Sequence, residues 1–210
     1  MGFIARGGGT WLLGTATIVV ILAYAAQAFH HSLLGMAAGL FGVILIFLLW
    51  FFRDPQRKPA GGVLSPADGK VVRIDVVEDA DVGRADRISI FMSPLDVHVN
   101  RIPFGGTILA VRHIPGKHIP AFNKDSDRNE RVETLIQTPL GPMKVIQIAG
   151  AVARRIVPYL TSGKVTAGQR MGLIRLGSRC DLLIPVGIVQ WNKEIGTQVH
   201  GASDSIGVIV

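Results

Sequence analysis

Between Arg6 and Arg53 the chain carries no Asp, Glu, Lys or Arg. Trp11 to Phe29 is an apolar stretch of 19 residues, and Leu33 to Phe52 is a second of 20. As helices, each reaches across a hydrocarbon layer of about 30 Å. The short His30-His31-Ser32 break fits a tight helical hairpin. Gly35, Gly39 and Gly42 recur at helical spacing, where small residues let two helices approach closely. A cleaved leader is the rival reading of the first span, because Ala26-Gln27-Ala28 has the form of a cleavage site. The thin positive start and the equally apolar second span argue against it. Arg6 precedes the hairpin and Arg53, Arg57 and Lys58 follow it, so the positive-inside rule places both ends in the cytoplasm.

The hairpin, residues 1–52, accounts for the high mean hydropathy of +0.40. Residues 53–210 are 158 residues, enough for one folded domain with a core. Of 22 basic residues only Arg6 lies before it, leaving 21 against 15 acidic ones, a net charge of +6. A basic domain tied to a bilayer is drawn to anionic headgroups. No nucleic-acid-binding motif accompanies the charge, which argues against that class of partner. Cys180 is the only cysteine, and no HxH or HExxH pattern occurs, so neither a disulfide nor a metal centre is expected.

Asp54-Pro55-Gln56-Arg57-Lys58-Pro59 reads as a linker. Beyond it the pattern is mainly β. Strands are expected at Lys70–Val77, Arg87–Met92, Thr107–Arg112, Val132–Thr138 and Met143–Ile148, with glycine and proline between them. Short strands around glycine turns near Leu64–Val77 and Ile184–Val210 suggest a β-sandwich-like core. The expected exception is a helix over Ala149–Tyr159, where Ile148, Val152, Ile156 and Tyr159 recur at helical spacing. Residues 116–131 are the longest polar stretch and read as a loop.

Three short segments stand out. Gly177–Ser178 falls between the apolar runs Met171–Leu176 and Leu182–Val186. Ser65-Pro66-Ala67-Asp68-Gly69 and Asp96-Val97-His98-Val99-Asn100-Arg101 carry a carboxylate and a histidine. Alone, a Gly–Ser pair marks a loop, Asp68-Gly69 a β-turn and His98 a structural histidine. Their order and contexts, with Phe52-Arg53-Asp54-Pro55 and Asn129-Glu130-Arg131, give the chain a resemblance to phosphatidylserine decarboxylase in its short bacterial and archaeal form.

The resemblance implies that Ser178 attacks the carbonyl of Gly177, so that the chain cuts itself into a β chain, 1–177, and an α chain, 178–210. The serine becomes a covalent pyruvoyl cofactor, which forms a Schiff base with the substrate amine and accepts the electrons left by carbon dioxide. The two chains then form a heterodimer, with a higher oligomer open. His98 is the implied base and Asp68 its orienting carboxylate, in the manner of a Ser–His–Asp relay. Long forms of the family carry two histidines three apart here. This chain has His98 and Arg101, so either His98 serves both cleavage and decarboxylation or Arg101 binds phosphate. His118, Arg154 and Arg155 are further candidates for the lipid headgroup; a solvated face is the alternative for the two arginines. The implied substrate is phosphatidylserine in the inner membrane. Another serine-headed lipid such as archaetidylserine, or a non-enzymatic tethered β-sandwich, are the alternatives.

Overall fold

A computed structural model describes residues 3–117, 119, 128–150, 155–175 and 178–210. The chain divides into two compact units, residues 1–55 and 56–210.

In the first unit, helix α1 spans Gly9–Ala28 and α2 spans Ser32–Phe51. Both are long and apolar enough to cross a membrane. His30, with φ of 49°, makes the turn between them. The hairpin is closed at its base by backbone pairing: Ala5 N–H donates to Phe52 O at 2.8 Å, and Asp54 N–H donates to Phe3 O at 2.8 Å. The glycine stripe of α2 does not form the helix contact that its spacing suggested. Only Gly35 faces α1, where an added Cβ would lie 3.9 Å from Ala26; Gly39 and Gly42 face open space. The tight approach is at Gly8, whose missing side chain admits the Phe52 ring.

The second unit is mainly β. Its strands are β1 (Val63–Leu64), β2 (Gly69–Asp79), β3 (Gly83–Met92), β4 (Val99–Arg101), β5 (Gly106–Ile114), β6 (Arg131–Thr138) and β7 (Gly141–Ile148). There follow β8 (Ile156–Pro158), β9 (Gly163–Val165), β10 (Arg170–Ile174), β11 (Ser178–Pro185), β12 (Val189–Trp191), β13 (Gln198–Val199) and β14 (Ser205–Ile209). Eight form one antiparallel sheet in the order β13-β2-β3-β11-β7-β6-β5-β9, and two three-stranded sheets run β1-β14-β12 and β4-β10-β8. All five strands expected from the sequence are present, each a little longer than its apolar run.

Period-two alternation sets the layers. Ile88, Ile90 and Met92 of β3, Cys180, Leu182 and Ile184 of β11, and Met143 and Val145 of β7 face one core. The small sheets close that core with Val63, Ile156, Met171, Ile174, Val189 and Ile206. Ala85 and Leu183 belong to a smaller cluster on the opposite face.

The expected helix at Ala149–Tyr159 is not formed where it is described. Ile156–Pro158 is strand β8, antiparallel to β10, and Tyr159 N–H extends the ladder to Met171 O at 2.9 Å. Ile148 ends β7 and Ile156 begins the core-facing side of β8, so two strands eight residues apart imitate a helical repeat. Residues 151–154 lie outside the described residues.

Candidate active site

Ser178 opens β11, a strand flanked on both sides, by β3 and by β7. It pairs with Met92, and its side chain faces the apolar core with Cys180 and Leu182. The residue is fully buried, and its Oγ has no hydrogen-bond partner among the described residues. An orphan hydroxyl in such a place forgoes on the order of 1–3 kcal/mol. A hydroxyl without a structural bond among the described residues is available for reaction.

Two segments bridge from the large sheet to the β4-β10-β8 sheet at this point. One is the chain from Ile174 to Ser178. The other runs from Met92, paired with Ser178, to His98, whose carbonyl accepts from Ile174 N–H at 3.2 Å. The loop 93–97 therefore leads from the Ser178 partner Met92 to His98, which is bonded to Ile174. Asp96 stiffens that loop: its carboxylate accepts from Ser93 N–H at 2.7 Å and from Gln198 Nε2 at 3.1 Å.

The His98 ring is fully buried, with Nδ1 2.9 Å from Asp96 O. A carbonyl only accepts, so Nδ1 carries the hydrogen, and in the neutral form of the ring Nε2 is the nitrogen that accepts. That is the tautomer a general base needs. Alternation puts His98 on the same side of β4 as Asn100. Asn100 Nδ2 donates to Met92 Sδ at 3.5 Å, and its Oδ1 accepts from Gln147 Nε2 at 2.8 Å. Met92 is on β3 and Gln147 on β7, so Asn100 lies across β11 at Ser178 and Cys180.

Asp68 takes another place than the relay would give it. Its carboxylate oxygens each lie 2.6 Å from an Arg57 nitrogen, and Gly201 N–H donates to Oδ1 at 2.8 Å. The nitrogen of His98 that an orienting carboxylate would hold is bound by the carbonyl of Asp96. The reason is local. Ser65 Oγ donates to Ala67 O at 2.7 Å, and Gly69 has φ of +139° with Phe91 O where a Cβ would sit. This turn aims Asp68 at the linker rather than at β4.

Arg101 is buried on the other side of β4 from His98, with Nη1 3.4 Å from Gly168 O. Arg155 is exposed and stands directly across from Arg175, whose N–H donates to Arg155 O at 3.2 Å. Burial and the neighbouring Arg155 charge both push the Arg175 guanidinium down from its ordinary value. His118, Arg154 and Gly177 lie outside the described residues. Arg179 and Asp181, on the far face of β11, form a buried two-pronged pair at 2.8 and 2.9 Å. Burial pushes the Cys180 thiol well up, so it stays neutral and does not compete with Ser178 as a nucleophile.

Sequence reasoning missed Arg57, Asn100, Gln147 and Arg175. Gln147 had a signal: it is a lone amide in the apolar run Val145-Ile146-Gln147-Ile148, at a core-facing position.

The family model for phosphatidylserine decarboxylase matches residues 44–207. The chain is 51% identical over 193 residues to the phosphatidylserine decarboxylase proenzyme of Streptomyces griseus, covering 88% of this chain and 84% of that one. It is 51% identical over 201 residues to the proenzyme of the same name from Streptomyces coelicolor, covering 92% and 86%. A Methanosarcina barkeri protein, provisionally named an archaetidylserine decarboxylase proenzyme, is 41% identical over 186 residues, covering 87% of each chain. With its orphan serine at the head of a central strand, this chain belongs to the phosphatidylserine decarboxylase family, a family of carboxy-lyases.

Proposed function

We propose that the chain cuts itself at Gly177–Ser178 and then decarboxylates phosphatidylserine to phosphatidylethanolamine and carbon dioxide. The observation that carries this is the Ser178 hydroxyl, buried and unpartnered in the described structure, opposite a strand link that bears His98. In processing, Ser178 Oγ bonds to the carbonyl carbon of residue 177 while its proton passes to His98 Nε2. The carbon–nitrogen bond then breaks, and the nitrogen takes the proton back, leaving an ester. General-base help of this kind is worth about 10²–10⁴-fold. Elimination removes the Cα proton and breaks the Cβ–oxygen bond, freeing residue 177 as a carboxylate; water then adds at Cα of residue 178 and ammonia leaves, giving the pyruvoyl group. That group supplies a carbonyl that takes up the substrate amine and the electron pair freed by carbon dioxide. The site suits it, because Ser178 is enclosed by core side chains and shut off from bulk water.

After cleavage the two pieces are held as a heterodimer. Strand β11 keeps β3 and β7 as neighbours, β14 keeps β1, and β13 keeps β2. A piece of 33 residues has no core of its own. Arg155 and Arg175 form the seat for the lipid phosphate. Guanidinium groups match a phosphate bidentately, and these two are brought side by side by the Arg175 N–H bond to Arg155 O. The two apolar helices anchor the domain on the cytoplasmic side of the membrane. Protease should reach the domain in inverted vesicles and not in spheroplasts; the reverse pattern rejects that orientation.

The test is conversion in vesicles. Purified, processed protein should release carbon dioxide from phosphatidylserine and form the ethanolamine lipid; no release from a fully cut protein rejects the substrate. The archaeal relative makes the ether-linked serine lipid the second reading. Turnover of that lipid alone, with the ester-linked one left intact, would favour it.

A further inference from the structure

Gln147 Oε1 is a second buried polar atom without a hydrogen-bond partner among the described residues, on the same face as the Ser178 hydroxyl. Gln147 stands directly opposite Cys180 across β7 and β11, and Ser178 is two residues along on that side. Diagonal neighbours of this kind lie roughly 7–8 Å apart, within reach of one small group placed between them.

The amide is fixed rather than free to turn. Its Nε2 donates to Asn100 Oδ1 at 2.8 Å, which leaves Oε1 as the outward atom. Space for it comes from Gly172, where an added Cβ would fall 2.9 Å from Nε2 and 3.0 Å from Oε1. Three elements thus hold a buried acceptor that receives no hydrogen bond among the described residues.

Processing does not satisfy it. Residue 178 loses its hydroxyl and its amide hydrogen, and the group left there only accepts. An amine beside that carbonyl is a donor that would satisfy it. We propose that Gln147 Oε1 recognises the substrate amine at residue 178, with Asn100 as the positioning residue that keeps the Gln147 amide turned that way. This rests on the reading of the chain as a decarboxylase of a serine-headed lipid. A neutral amide suits the task. It orients the amine without placing a negative charge where the carboxylate must sit and electrons must flow.

The experiment separates binding from turnover. Titration calorimetry on the processed protein compares a short-chain phospholipid headed by N,N-dimethylethanolamine with the choline-headed one. Both headgroups carry a positive nitrogen and neither can form an imine with the carbonyl, but only the first has an N–H to donate. Wild type should prefer the dimethylethanolamine form by about tenfold to a hundredfold, the range for a buried hydrogen bond to a charged group. Gln147→Met should cleave fully by denaturing mass spectrometry yet bind the two within about twofold. Gln147→Glu, which keeps an acceptor, should retain the preference. Asn100→Ala should lose it, and Asn100→Asp, which still accepts from Nε2, should keep it. If Gln147→Met does not fold, Gly172→Ala displaces the same amide and should reduce the preference. A cleaved Gln147→Met protein that keeps the preference overturns the proposal. So does a folded one that no longer cleaves, since the amide would then act in processing. A wild type that shows the preference but does not decarboxylate phosphatidylserine defeats the substrate reading and leaves this one standing.

Discussion

Arg57 and Asp68 form a two-pronged ion pair, with each guanidinium nitrogen 2.6 Å from a carboxylate oxygen. Arg57 also donates to Gly201 O at 2.8 Å, and Gly201 N–H returns a bond to Asp68. Arg57 and Asp68 lie in the piece before the proposed cut and Gly201 in the piece after it. The cluster is therefore a clamp between the two future chains.

Asp68→Asn leaves the Arg57 charge buried and uncompensated, since the two side chains are only 6% and 11% exposed. Breaking such a pair costs about 3–5 kcal/mol. The unfolding midpoint should fall in denaturant melts, and an Arg57→Met, Asp68→Leu double variant should recover much of it. An Asp68→Asn protein with an unchanged midpoint and no cleavage would show instead that the carboxylate serves His98.

His98 holds its tautomer through Asp96 O, and the proposed proton transfer uses the other ring nitrogen. His98→Ala should slow self-cleavage by roughly 10²–10⁴-fold in a time course of fragment appearance. Cleavage at the wild-type rate would remove His98 from the processing step.

Arg155 and Arg175 face each other across β8 and β10 where the chain leaves toward Ser178. Arg155→Gln should raise KM for the lipid by about tenfold with kcat little changed, because a phosphate contact remote from the bond broken is made equally in ground and transition states. A fall in kcat at constant KM would contradict the assignment.

Far from the site, Lys144 is buried among Asp79 and Asp81 at 2.7 and 2.6 Å, and Arg112 holds Asp81 from outside. The Arg112 hydrogen bond, then that of Lys144, lowers the Asp81 carboxyl to about 2. A depressed carboxyl contributes stability above its unfolded value, about 3.9, that is lost as pH falls through the folded one. Thermal melts should therefore show a loss between about pH 4 and 2 that Asp81→Asn makes shallower. Parallel slopes for both proteins would show that the pair carries no such linkage.

Much of this was legible in the residues. Period-two runs such as Lys70–Val77 and Met143–Ile148 announce strands whatever they pair with, and Ser178 and His98 stood out through their contexts. What the pattern could not show is pairing at a distance. Asp68 met Arg57, not His98, because the turn at Gly69 aims it there. Asn100 and Gln147 meet only because β4 crosses over β11, a relation with no local trace. The helix expected at Ala149–Tyr159 failed for the same reason, since its spacing came from two separate strands.

Self-cleavage between Gly177 and Ser178 is tested directly by intact mass under denaturing conditions. The purified chain of 22.5 kDa should resolve into two fragments. The smaller should begin at residue 178 and resist amine-directed labelling at its start, as a pyruvoyl end requires. Ser178→Ala should remain one chain and be inactive. A wild-type protein that decarboxylates phosphatidylserine while remaining a single uncut chain would contradict it.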